Sequence, residues 1–117
     1  MSVVYFVRAT SGEGPVKIGV TTNLAHRLKM GRGWSAVPIE VIATIPGDKY
    51  TEHRFHALFE ADHLHLEWFA WSDRMASVIE TIQSGHFVID CLPPAKFVGL
   101  RKAMADWSLA RAEQAAA

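Results

Sequence analysis

The sequence holds one cysteine, Cys91, among 117 residues. An internal disulfide and a cysteine-based zinc cluster are therefore both excluded. Cys91 itself reads as a small apolar residue in a late strand. No apolar run approaches the roughly 18 residues that a membrane span requires, so no membrane partner is expected. The stretch "MSVVYFVRA" lacks a basic leader and a long apolar core, so no secretory signal is expected, and the cytoplasm is the expected compartment. An internal repeat is also lacking. So is net charge, with 12 Lys/Arg against 12 Asp/Glu. Bulk electrostatics then supplies little affinity for nucleic acid.

What is present is ordinary globular material, 50% hydrophobic and 21% charged, enough for one modest core. The charge is unevenly spread. Five basic residues (Arg8, Lys17, Arg27, Lys29, Arg32) face two acids (Glu13, Glu40) up to position 40. Eight acids face three basic residues between positions 41 and 90. A basic first third is able to meet a phosphate backbone, although composition alone does not demand it.

"SVVYFVRA" is dense in β-branched and aromatic residues and predicts a strand. "TSGEGP" is a turn and "VKIGV" a second strand, the two pairing as a hairpin. Thr21, Thr22 and Asn23 are helix-capping types, so a helix follows through "LAHRLKM" and stops at Gly31 and Gly33. "PIEVIATI" predicts a third strand, and "DKYTEHRFHALFEA" a helix with Phe55, Leu58 and Phe59 on its apolar stripe. A short extended piece, "LEWFAW", precedes a helix over "RMASVIETIQ", capped by Ser72 or Asp73. "HFVIDCL" is compatible with a further strand. The alanine-rich tail from Ala95 predicts a helix with Phe97, Leu100, Met104 and Trp107 in register, packed on the domain or on a partner chain. The expected class is α+β, a small three-stranded antiparallel sheet flanked by helices. Residues 1–83 form its main domain, and residues 84–117 a C-terminal extension of a short strand and a helix.

Three polar residues fall where a core prefers apolar ones. Tyr5 lies mid-strand, and an amphipathic tyrosine there is common. Lys17 alternates with Val16 and Ile18 and has an ordinary account on a solvent-facing side. Glu52 lies three residues before Phe55 and seven before Phe59, on the stripe that packs on the sheet. A carboxylate aimed at a core needs a partner or a metal, although one near a helix N-terminus also favours the dipole. Histidines offer a rival pattern, His53-x-x-His56 and His63-x-His65, with zinc in mind. They do not reproduce the H-E-x-x-H helix of metalloproteases, and surface or supporting histidines are the preferred account.

Taken together, these residues resemble the GIY-YIG nuclease family. Val3-Val4-Tyr5 stands where that family has Gly-Ile-Tyr, and Lys17-Ile18-Gly19 where it has Tyr-Ile-Gly. The arginine helix is matched by "TTNLAHRLK" with Arg27, and the glutamate helix by "YTEHRFHALF" with Glu52. The pattern Glu52…His56…Phe59, followed by Glu67-Trp68-Phe69, is similar to a short, phage-associated branch with a K-I-G second motif. The resemblance covers residues 3–82 and leaves the tail outside.

The resemblance implies a metal-dependent endonuclease that hydrolyses DNA phosphodiester bonds. Tyr5 would activate water, its pKa lowered by a cation that Lys17 supplies. Arg27 would bind the scissile phosphate. Glu52 would hold a single divalent ion, Mg²⁺ or Mn²⁺. His56 would relay a proton or orient Glu52, or else serve as a buried cap. Lys29 and Arg32 are candidate substrate-binding residues, and Glu67 is either a second acid at the site or a structural contact. These side chains are expected to converge on one concave face of the sheet. With Val3 and Lys17 departing from the family pattern, the alternative is a degenerate domain acting as a DNA- or protein-binding accessory module. A homodimer or an associated targeting protein would supply the affinity that zero net charge does not.

Overall fold

The computed structural model describes residues 1–31 and 36–95. Strands β1 (Val3–Ala9) and β2 (Val16–Thr21) form the expected hairpin, with Tyr5 opposite Gly19 and Val7 opposite Lys17. Strand β3 (Ile39–Pro46) pairs with the other edge of β1, with a register shift between Phe6 and Val7. Helix α1 (Leu24–Gly31) follows β2. Its start is set by Asn23, whose side chain accepts the His26 backbone N–H and so satisfies one of the unpaired donors of the first turn.

Helix α2 (Lys49–Leu58) opens with a capping box in which Asp48 and Thr51 bond reciprocally. Helix α3 (Asp73–Gln83) is capped by Ser72, which also donates to Asp62. Period-2 alternation sends Val4, Phe6, Val16 and Ile18 to one side of the sheet. There they meet Phe55 of α2, Phe59 at its C-terminal cap, and Met75 and Ile79 of α3 in a single core. The Phe6 and Phe55 rings meet edge to face with their centroids 5.2 Å apart, a favoured aromatic geometry.

Two expectations are corrected. The described residues form a five-stranded antiparallel sheet and not a three-stranded one. The extra strands are β4 (His63–His65) and β5 (Trp68–Phe69), in the order β3-β1-β2-β5-β4. Strands of three and two residues are too short to show alternation in a sequence. The second correction concerns "HFVIDCL", which is not a strand but a loop with one 3-10 turn at Ile89–Cys91. Phe87 stacks on Phe55, and the Arg54 guanidinium donates to the Leu92 and Pro93 carbonyls. Those carbonyls thus bond to a helix side chain, and the two prolines that follow offer no N–H for a sheet ladder. The candidate residue Arg32, and the tail stripe of Phe97, Leu100, Met104 and Trp107, lie outside the described residues.

Candidate functional site

The same alternation that buries Phe6 and Ile18 sends Tyr5, Val7 and Lys17 to the opposite face of the sheet, beneath α1. A small hollow there is lined by Tyr5, Val7, Lys17, Arg27, Leu28 and Trp68 among others. Tyr5 is 2% exposed. Its side chain fills the space where residue 19 would carry a Cβ, which would come within 2.5 Å of the ring carbon Cζ. Gly19 is therefore required for close approach rather than for an unusual backbone angle.

Lys17 is largely buried and lies 3.8 Å from the Glu67 carboxylate. Burial lowers the Lys17 pKa and Arg27 adds to that, while Glu67 and Glu52 oppose it. The pKa of Tyr5 is raised, first by burial, then by Glu67 and Glu52; Arg27 is the cation that works the other way. The Tyr5 pKa is thus raised where the expectation has it lowered, because burial outweighs the cations nearby. Arg27, exposed on the first turn of α1, is a cation that acts on the phenol, and Lys17 also faces Glu67.

Glu52 arrives from the other layer. Helix α2 lies on the core face, and Glu52 on it is near enough for its charge to bear on Tyr5 and Lys17 and for the charge of Arg27 to bear on it. Strand β5 pairs with β2 only at Val16 and Lys17. Beyond that point His56 Nε2 sits 3.1 Å from the Ile18 carbonyl, an acceptor, so this nitrogen carries the hydrogen. Glu52 is 3% exposed. Its pKa is pushed up to about 7, by burial first and then by Glu67, against the pull of Lys49, Lys17 and Arg27.

The Glu52 and His56 side chains approach to 3.8 Å, yet they do not form an ion pair. Burial pulls the His56 pKa down to about 4. Above that value the imidazole is neutral, and below about 7 the carboxyl is mostly protonated. No pH gives them opposite charges together to any large extent. His56 is positioned to pin α2 to β2, and its ring tilts against Phe69 at 4.9 Å.

Two further residues belong to this neighbourhood. Glu67 reaches Lys17, and its charge also bears on Tyr5 and Glu52; its backbone carbonyl accepts from Ile18 N–H at 2.9 Å. Lys49 lines a shallow depression with Arg27, Thr21 and Thr22. Its only trace in the sequence is its place three residues before Glu52, one helical turn away. Lys29 is exposed near the end of α1 and does not line the Tyr5 hollow.

No group of three or more His, Cys, Asp or Glu side chains suited to a metal occurs among the described residues. His53 and His56 meet ring to ring at 5.5 Å, while His63 Nε2 bonds the Leu66 carbonyl at 2.7 Å. The donor set fits a hard cation held by one carboxylate together with water and substrate oxygens, as Mg²⁺ commonly is. A cation near Glu52 would also offset the Glu67 charge that raises the Glu52 pKa.

No helix among the described residues is long and apolar enough to cross a membrane. Comparison with curated proteins and with solved structures gives no match. The model of the T5orf172 domain matches residues 2–84, which include every element from β1 to α3. The chain therefore belongs to the T5orf172 domain family, a phage-associated group.

Proposed function

We propose that this chain is a metal-dependent endonuclease of GIY-YIG type acting on DNA in the cytoplasm. The observation that carries the reading is the gathering of Tyr5, Lys17, Arg27 and Glu52 around one strand, with Tyr5 seated over Gly19. Phosphodiester hydrolysis needs charge neutralised on the phosphate oxygens, a positioned water and a fate for its proton. The exposed Arg27 guanidinium is suited to a phosphate fork, and Lys17 and Lys49 add positive charge on either side of it. Glu52 would hold Mg²⁺ or Mn²⁺, which when bound supplies a Lewis acid for the phosphate and the attacking water. With its pKa raised, the Tyr5 phenol is protonated at neutral pH. It therefore orients a water or shares a proton in a hydrogen bond, and it takes the proton fully only where Arg27 and added cations outweigh Glu67 and Glu52.

The raised Tyr5 pKa also supports a second reading, in which the domain binds DNA or a protein without cutting. Both readings meet in one experiment. Supercoiled plasmid is incubated with the full chain, with and without Mg²⁺, alongside Glu52→Ala. Mg²⁺-dependent nicking that Glu52→Ala abolishes is the expected result. Plasmid that is bound but not cut would favour the binding module.

A further inference from the structure

At the connection between β4 and β5 stands a residue from which the fold gains little. Leu66 adopts a left-handed backbone, φ 52°, a conformation that bulky L-residues seldom take. Two-residue hairpin turns favour Asn, Asp or Gly at such positions. Leu66 is also 71% exposed, and Leu64 beside it 58%, so neither gains much from burial.

The turn is nevertheless held firmly. His63 Nε2 donates to the Leu66 carbonyl at 2.7 Å, Ile18 N–H donates to the Glu67 carbonyl at 2.9 Å, and the Glu67 carboxylate faces Lys17. Leu66 is thereby placed at a set position relative to Lys17, and with Glu67 and Trp68 the two line one open hollow. Lys17 on one side of this hollow is paired with the half-exposed Glu67 carboxylate, so a phosphate there competes with Glu67 for Lys17, while Leu66 and Trp68 offer apolar surface to a base one sugar away. Lys17, Arg27 and Lys49 make that neighbourhood suited to a polyanion and less so to a second apolar surface.

We propose that Leu66 is an apolar wedge that enters the base stack of duplex DNA next to the phosphate held at Lys17 and Arg27, partly unstacking one base step. Inserted apolar side chains kink and unwind duplexes in this way. The inference rests on the nuclease reading for the identity of the ligand but not for catalysis, so the two fail separately.

The test uses the full chain carrying Glu52→Gln, which the proposed mechanism makes unable to cut. Relaxed closed-circular plasmid is incubated with it and a nicking-closing topoisomerase, and the change in linking number is read on a gel. The parent should shift the linking number. Adding Leu66→Asn should remove most of that shift and leave the melting temperature equal or higher, because Asn tolerates the left-handed backbone. A shift that Leu66→Asn leaves unchanged, or no shift at all from the parent, would overturn the wedge. So would a markedly lower melting temperature for Leu66→Asn, which would make Leu66 a structural residue. Sedimentation showing that the parent self-associates and the variant does not would assign the patch to a contact between copies of the chain, and would also overturn it. Wild-type protein that unwinds plasmid but never nicks it would leave the wedge standing and remove the nuclease.

Discussion

The side chain of Tyr5 occupies the volume that a Cβ on residue 19 would need, so the tyrosine and Gly19 of the neighbouring strand are a matched pair. The tyrosine of the first motif and the glycine of the second are two halves of one packing arrangement. Gly19→Ala should displace the phenol and destabilise the fold by about 1–3 kcal/mol, the usual range for overpacking. In a Tyr5→Ala background the same change should cost far less. Chemical denaturation of the four proteins in a double-mutant cycle measures this; purely additive effects would show that the two residues do not compete for space.

Glu52 ties stability to pH. Its folded pKa of about 7 stands above the ordinary 4.5, so between those values the folded state holds a proton that the unfolded chain has released. This contribution is largest below pH 4.5 and fades as pH rises through 7, a loss of about 3 kcal/mol at most. Glu52→Gln should remove this group's contribution, leaving the opposing one of His56, and raise stability at pH 8. Mg²⁺ should raise the melting temperature of the wild type at pH 8, more than at pH 5, and leave Glu52→Gln unmoved. A wild type indifferent to Mg²⁺ at pH 8 would speak against Glu52 as the cation's ligand.

His56 acts in the opposite direction. Its folded pKa of about 4 lies below the ordinary 6.5, so on acidification the unfolded chain takes up a proton first and stability falls, by about 1.4 kcal/mol per pH unit between 6.5 and 4. Glu52 gains at a similar rate on acidification over pH 7 to 4.5, so the two nearly cancel between pH 6.5 and 4.5. Urea denaturation across that window should find the wild type almost flat. Glu52→Gln should weaken on acidification, and His56→Gln should strengthen. A steep wild-type slope would mean that one of the two groups titrates near its ordinary value.

Glu67 should tune the phenol. It raises the pKa of both Tyr5 and Glu52, while Arg27 lowers that of Tyr5. In a Tyr50→Phe background, ultraviolet titration should show Tyr5 ionising at lower pH in Glu67→Gln, and at higher pH in Arg27→Gln. If the protein nicks plasmid, the rising limb of its pH profile should move with it. A Tyr5 titration unchanged by Glu67→Gln would leave Glu67 a structural partner of Lys17 only.

The elements with strong local signals were legible without coordinates. The β1–β2 hairpin, the Asn23 and Ser72 caps and the α2 and α3 stripes each depend on residues within a turn or two of one another. Alternation and the 3.6 period decide them before any tertiary contact forms. The burial of Glu52 followed from its place on the Phe55–Phe59 stripe. The extended piece over "LEWFAW" does hold β5, but β4 and the pairing of both with the sheet were not legible, because two or three residues carry no period. The loop over residues 86–92 was misread as a strand, because Phe87 and Leu92 find their partners on the core and on α2 rather than at a sheet edge.

The sequence by itself thus determined the residue types at the candidate site and the elements that carry them. Tertiary structure decided their electrostatics, since a charge acts through distance and burial and not through spacing along the chain. Only the fold brings Glu67, 50 residues from Lys17 in sequence, to 3.8 Å from it, and only the fold lets the Arg27 charge act on Tyr5. The same holds for Gly19. Its place in a motif was visible in one dimension, but the reason it must be glycine is a ring lying across it from the neighbouring strand.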